Sequence, residues 1–212
     1  LELGSRMKQL MVCLIGEQPI PNLLPIRHSR ASCVALVYSE FTRKVKDNVK
    51  NLIASQLGVL EWKVVPYDMV AIQNELENQI RMSGFSPNEI SFNLTGGTKP
   101  MSLVAFRFAE QMMGPIFYLQ SEGGKSVLYQ YRFNGANIEK IESSEVPETL
   151  TIDDYLKVHG FFDNRERQAA SIPEQLHELN KMMEKEGLHA VPVLEESKSA
   201  HTPGREIFAE ML

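Results

Sequence analysis

The sequence predicts an α/β fold built on a doubly wound, mostly parallel sheet, and three observations carry that prediction. Short apolar runs alternate with amphipathic stretches through the first 120 residues. The earliest runs, QLMVCLIG (9–16) and ASCVALVYS (31–39), are apolar without a break, as strands covered on both faces must be. Later, KSVLYQYRF (125–133) and ANIEKIE (136–142) alternate with a period of two on either side of Asn134-Gly135. That is the pattern of a β-hairpin, here extending one edge of the sheet.

Taken in order, the first strand is followed by GEQPIPNLLPIRH, whose prolines predict a rigid loop. After the second strand comes a helix from about Glu40 to Gln56. Ser39 is placed to cap it, Phe41, Val45, Val49, Leu52 and Ile53 share one face, and Gly58 ends it. EWKVVPYD (61–68) reads as a third, more exposed strand. Residues 69–82 are amphipathic through Met69, Ile72, Leu76 and Ile80 and close at Gly84. Ile90, Phe92 and Leu94 mark a fourth strand. Met101, Val104, Ala105, Phe108 and Met112 mark a helix over 100–112, with Pro100 suited to its first turn. GPIFYLQ (114–120) is the fifth strand.

Beyond residue 148 the character changes. A short helix at 151–158, a Glu/Lys-rich helix at 172–186 and a strand at 189–194 are expected. The division is therefore residues 1–6 (LELGSR) as a cloning scar, 7–147 as the α/β domain, and 148–212 as a linker or helical extension. The final PGREIFAEML has helical apolar spacing with no cap after it, which suggests the start of a further, truncated domain.

Composition narrows the function. The formal charge of -5 argues against a general nucleic-acid binder. No run of about eighteen apolar residues offers a membrane span. Cys13 and Cys33 sit in apolar runs without ligand spacing, so buried reduced thiols, no metal and a reducing cytoplasm are expected. Arg27, Arg30, Arg43, Lys44 and Lys46 cluster against Glu40 alone, as either a solvated face or an anion site.

The segment NLTGGTKP (93–100) is the most informative. Between a strand and a helix it places Thr95, Gly96, Gly97, Thr98 and Lys99, a turn rich in backbone N–H groups with one cation. That chemistry suits a phosphate. It does not match the P-loop, because Lys99 follows Thr98 and no Ser or Thr comes next, and no GxGxxG follows the first strand. Since ligands of open α/β sheets lie beyond the carboxyl ends of the strands, GEQPIPNLLPIRH, SEFTRK, PYD and TGGTK should open on one edge.

IGEQPIPNLLPIRH (15–28), NLTGGTKPMSLVAF (93–106) and TIDDYLKVHG (151–160) together resemble the CRISPR-associated Rossmann fold (CARF) sensors. The likeness is to the subfamily commonly fused to a C-terminal nuclease. It implies a Rossmann-like domain that homodimerises, binds a cyclic oligoadenylate, most simply cyclic tetra-adenylate, and allosterically controls a fused effector in type III CRISPR defence. It also implies no cofactor in this chain, although a fused nuclease would need a divalent metal, and no DNA binding by the sensor itself. Carried over by position, the ligand-binding residues are Gln18, Pro19, Asn22, Ser39, Glu40, Thr95, Gly96, Gly97, Thr98 and Lys99. Gln18 or Asn22 amides would read adenine edges, Glu40 would accept from an adenine amino group, and the Thr95 and Thr98 hydroxyls would bond ribose or phosphate. Met101, Phe108 or Met112 would contribute to the dimer contact. Two alternatives stay open. One is a ring nuclease, in which Lys99 and Thr98 would stabilise in-line attack of a 2′-hydroxyl. The other is a winged-helix transcription regulator.

Overall fold

A computed structural model describes residues 8–146 and 150–161, with a few single positions between 177 and 185. Seven strands form one sheet in the order β3-β2-β1-β4-β5-β6-β7. The strands are β1 (Leu10–Leu14), β2 (Cys33–Tyr38), β3 (Gly58–Lys63), β4 (Ile90–Asn93), β5 (Ile116–Glu122), β6 (Lys125–Asn134) and β7 (Asn137–Glu145). β1 to β5 run parallel, and β6 and β7 add the antiparallel hairpin at one edge. The two residues between paired Asn134 and Asn137 are Gly135, at φ 59°, and Ala136, so the turn lies one residue later than Asn134-Gly135.

Helices cover both faces, as the unbroken apolar character of β1 and β2 requires. α1 (Ile20–His28) and α2 (Arg43–Ile53) pack on one face with the short α5 (Ile152–Val158). α3 (Met69–Ser83) and α4 (Lys99–Met112) pack on the other. Successive side chains of β1 serve the two cores alternately, Leu10, Val12 and Leu14 on the α3/α4 side and Met11 and Cys13 on the α1/α2 side. The strand expected at 189–194 lies outside the described residues, as does most of the helix expected at 172–186.

Four expectations are corrected. The proline-rich segment after β1 is a rigid loop only as far as Pro19, and from Ile20 it is helical. Pro21 occupies the first turn, where no donor is needed. Pro25, inside the helix, leaves the Pro21 carbonyl without its backbone partner, and the Asn93 side chain on β4 donates to that oxygen instead at 3.0 Å. Gly58 does not end α2 but opens β3, paired with Cys33; a Cβ there would stand 3.2 Å from the Cys33 sulfur. Phe41 leaves the α2 face and is 86% exposed, because Glu40–Thr42 form a separate 3₁₀ turn. Finally, Met101 and Phe108, expected at a dimer contact, are buried in the core of their own sheet, and Met112, half-buried, packs against that core.

α5 is fastened by an Arg27–Asp154 ion pair at 3.0 Å and by the Asn48 amide donating to the Val158 carbonyl at 3.0 Å. His159 follows it, its ring centroid 4.3 Å from that of Tyr155, and burial lowers its pKa from 6.5 to about 4. The stability this neutral ring contributes is complete above about pH 6.5 and declines as pH falls toward 4, because the unfolded chain takes up the proton first. His159→Gln should therefore flatten the acid limb of a melting temperature–pH profile. An unchanged profile between those pH values would remove His159 as its cause.

Candidate functional site

The chains leaving β1 and β4 turn to opposite faces of the sheet, toward α1 and α4, which opens a crevice between the ends of these neighbouring strands. A cavity of about 670 Å³ lies there. It is lined by the segment Ile15–Gln18 after β1, the 3₁₀ turn after β2, Pro66 and Tyr67 after β3, and Thr95–Thr98 after β4. All four strand-end segments expected on one edge thus meet at one site.

The floor of the crevice exists because three positions lack side chains. A Cβ on Gly96 would sit 2.2 Å from the Leu14 carbonyl oxygen and 2.9 Å from the Asn22 amide nitrogen. Gly97 has φ +76°, and a Cβ there would be 2.8 Å from that of Leu14. From the other side, a Cβ on Gly16 would be 3.1 Å from the Gly97 nitrogen. The glycine turn therefore rests directly on the end of β1, with its peptide groups forming the surface.

Beneath the turn lies a buried amide network. Asn93 is inaccessible to solvent; its Nδ2 donates to the Pro21 carbonyl and, at 3.2 Å, to Asn22 Oδ1. Its Oδ1 accepts from Thr95 N at 3.2 Å and from Thr95 Oγ1 at 2.6 Å. Asn22, also inaccessible, donates to the Leu14 carbonyl at 3.0 Å. The network ties β1, α1, β4 and the turn into one unit.

The residues named from sequence divide accordingly. Gln18, Ser39, Thr95, Gly96, Gly97 and Thr98 line the cavity, and Gln18 is exposed there. Asn22 does not; both ends of its amide are engaged, so it positions the loops. Pro19 is buried at the start of α1, its carbonyl accepting from Leu23 N at 3.0 Å. The Thr95 hydroxyl is occupied by Asn93 and by Leu119 N at 2.8 Å. That of Thr98 donates to the Pro66 carbonyl at 2.6 Å and caps α4. Lys99 is the exposed first residue of α4 and stands outside the lining. Ser39, 4% exposed, clamps the 3₁₀ turn, its N–H donating to Thr42 Oγ1 at 3.0 Å.

Glu40 also stands outside the lining, exposed and paired with Lys63 at 2.6 Å and Arg43 at 2.7 Å, which together hold its carboxyl below the usual range. The basic cluster around it is largely neutralised: Arg27 pairs with Asp154, and buried Lys46 with Asp47 and Glu61. Burial pushes the Cys13 thiol far above its ordinary pKa, away from any thiolate chemistry. Among the described residues no group of three or more His, Cys, Asp or Glu is arranged to hold a metal, and no helix is long and apolar enough to cross a membrane. Sequence reasoning flagged the segments SEFTRK and PYD but missed that Phe41 and Tyr67 within them face the cavity.

Residues 10–155 match the family model described as the Card1 CARF domain. No curated protein matches the chain. Among solved structures it is similar to Can2 from Sulfobacillus thermosulfidooxidans in complex with cyclic tetra-adenylate. That pair has 20% identity and a TM-score of 0.58, over 95% of this chain and 57% of the other. It is also similar to protein VC1899 from Vibrio cholerae, with 16% identity and a TM-score of 0.58 over 82% of this chain and 45% of that one. A third is a type III CRISPR defence DNA nuclease activated by cyclic oligoadenylate, with 18% identity and a TM-score of 0.54 over 84% of this chain and 28% of the other. At these identities the likeness is one of fold, and the chain spans little more than half of Can2 and less of the others.

Proposed function

This chain belongs to the Card1 CARF domain family, and on that footing we propose that it binds a cyclic oligoadenylate in the crevice between β1 and β4 and relays binding to an effector in type III CRISPR defence. The observation that carries the reading is the glycine turn resting on the end of β1. Its bare peptide groups at the start of α4 form a surface that a phosphate can approach closely. Lys99 adds a cation at the rim, and the Gln18 amide, exposed in the lining, offers both donor and acceptor to an adenine edge. A cyclic tetra-adenylate carries a two-fold axis, so a homodimer would present each of these groups to it twice.

A thermal-shift panel of cyclic tri-, tetra- and hexa-adenylate tests the reading. At about a hundredfold excess over Kd the ligand stabilises by about 2.7 kcal/mol, which raises Tm by roughly 5–10 °C for a chain of this size. Lys99→Ala should fold normally and bind roughly tenfold or more weakly, the worth of one charge-assisted hydrogen bond. No shift with any of the three rings would sink the proposal. Product analysis of the same mixtures reports whether the ring is also opened.

A further inference from the structure

Two aromatic side chains at the cavity are more exposed than packing alone explains. Phe41 is 86% exposed and Tyr67 is 73% exposed, yet both line the cavity beyond β2 and β3. Neither sits on a loose tether. Phe41 belongs to the 3₁₀ turn held by the Ser39–Thr42 clamp, where the two hydroxyl oxygens are also 3.3 Å apart. Tyr67 follows Pro66, whose carbonyl is latched to the glycine turn by the Thr98 hydroxyl. Among the described residues neither ring is stacked on another aromatic or under a cation. Solvent-facing rings carried on anchored backbone beside a polar backbone floor supply what a nucleotide needs besides its phosphate seat, a flat apolar surface for the base.

We infer that Phe41 and Tyr67 are the stacking surface on which this site takes purine bases. The inference rests on the function proposed above and deepens it. The glycine turn holds the phosphates, and the two rings select a ligand that carries bases rather than a bare polyanion. Purines offer the larger stacking face, so a ring of adenylates should be preferred to a ring of uridylates of the same size and charge.

The test uses cyclic tetra-adenylate with one adenine replaced by 2-aminopurine, whose fluorescence is quenched by stacking. It is titrated into the parent chain and into Phe41→Ala, Phe41→Trp, Tyr67→Ala and Lys99→Ala, with light scattering on each. The parent should quench the probe. Phe41→Ala and Tyr67→Ala should each bind roughly tenfold more weakly, with less quenching at saturation. Phe41→Trp should keep both properties, and Lys99→Ala should lose affinity but not the saturated quench. If the parent binds and neither alanine variant changes affinity or quench, the stacking role is wrong and the sensor reading stands. If an alanine variant only dissociates a dimer while the bound probe stays quenched, the rings serve an interface and the inference is overturned. If the parent binds no cyclic adenylate, both readings fall together.

Discussion

Gly96→Ala should abolish ligand binding and lower stability by about 2–3 kcal/mol, the upper part of the range for forcing a methyl into a filled site. The new methyl would stand 2.2 Å from the Leu14 carbonyl oxygen, a backbone atom that no rotamer change can move aside. The turn must lift off β1, and the phosphate surface goes with it. Gly16→Ala is the graded comparison, because its methyl would meet the Gly97 nitrogen at 3.1 Å, a contact that a shift of a few tenths of an ångström relieves. Titration calorimetry and thermal melts on both variants check this. Parental binding by Gly96→Ala would show that the seat is elsewhere.

Asn93→Leu should cost still more, on the order of 3–5 kcal/mol, although leucine is close to asparagine in size. The substitution strands the Pro21 carbonyl, Asn22 Oδ1 and Thr95 N–H at the largely buried base of the crevice, and each such group left unsatisfied costs about 1–3 kcal/mol. Urea melts should show the midpoint displaced with the slope preserved. A loss below about 1 kcal/mol would mean that these groups find other partners.

The alternation of strands and helices was legible because β1 and β2 are buried on both faces and write that burial as unbroken apolar runs. The glycine turn was legible because Gly96-Gly97 falls between an apolar strand and a proline suited to the first turn of a helix. α1 was not, for a physical reason. Ile20, Asn22, Leu23, Leu24, Pro25 and Ile26 are all buried, so no polar stripe marks a helix, and its two prolines argue for a loop. The side-chain roles at the site were the least legible. Asn22, Thr95 and Thr98 have the right groups for a ligand, but whether a hydroxyl or amide faces a cavity or a neighbouring backbone depends on contacts across long sequence separations. Asn93 to Pro21 is one such contact, and Thr98 to Pro66 another.

The vacancy left by Pro25 bears on the order in which the molecule can be made. The helix that leaves β1 cannot complete its own bonding. The partner of its Pro21 carbonyl is Asn93, 72 residues further along the chain. A nascent chain that has emerged only through β3 holds two of its three strands in their final neighbourhood, yet its first helix still lacks a donor and β1 still lacks β4 beside it. Closing so wide a loop is slow compared with local helix formation. The crevice therefore matures late, when β4 arrives and delivers the glycine turn and the missing amide in one step. Pro25→Ala would give the helix its own donor and loosen that dependence. In pulse-labelled refolding, protection of the α1 amides should then precede that of β4 instead of coinciding with it.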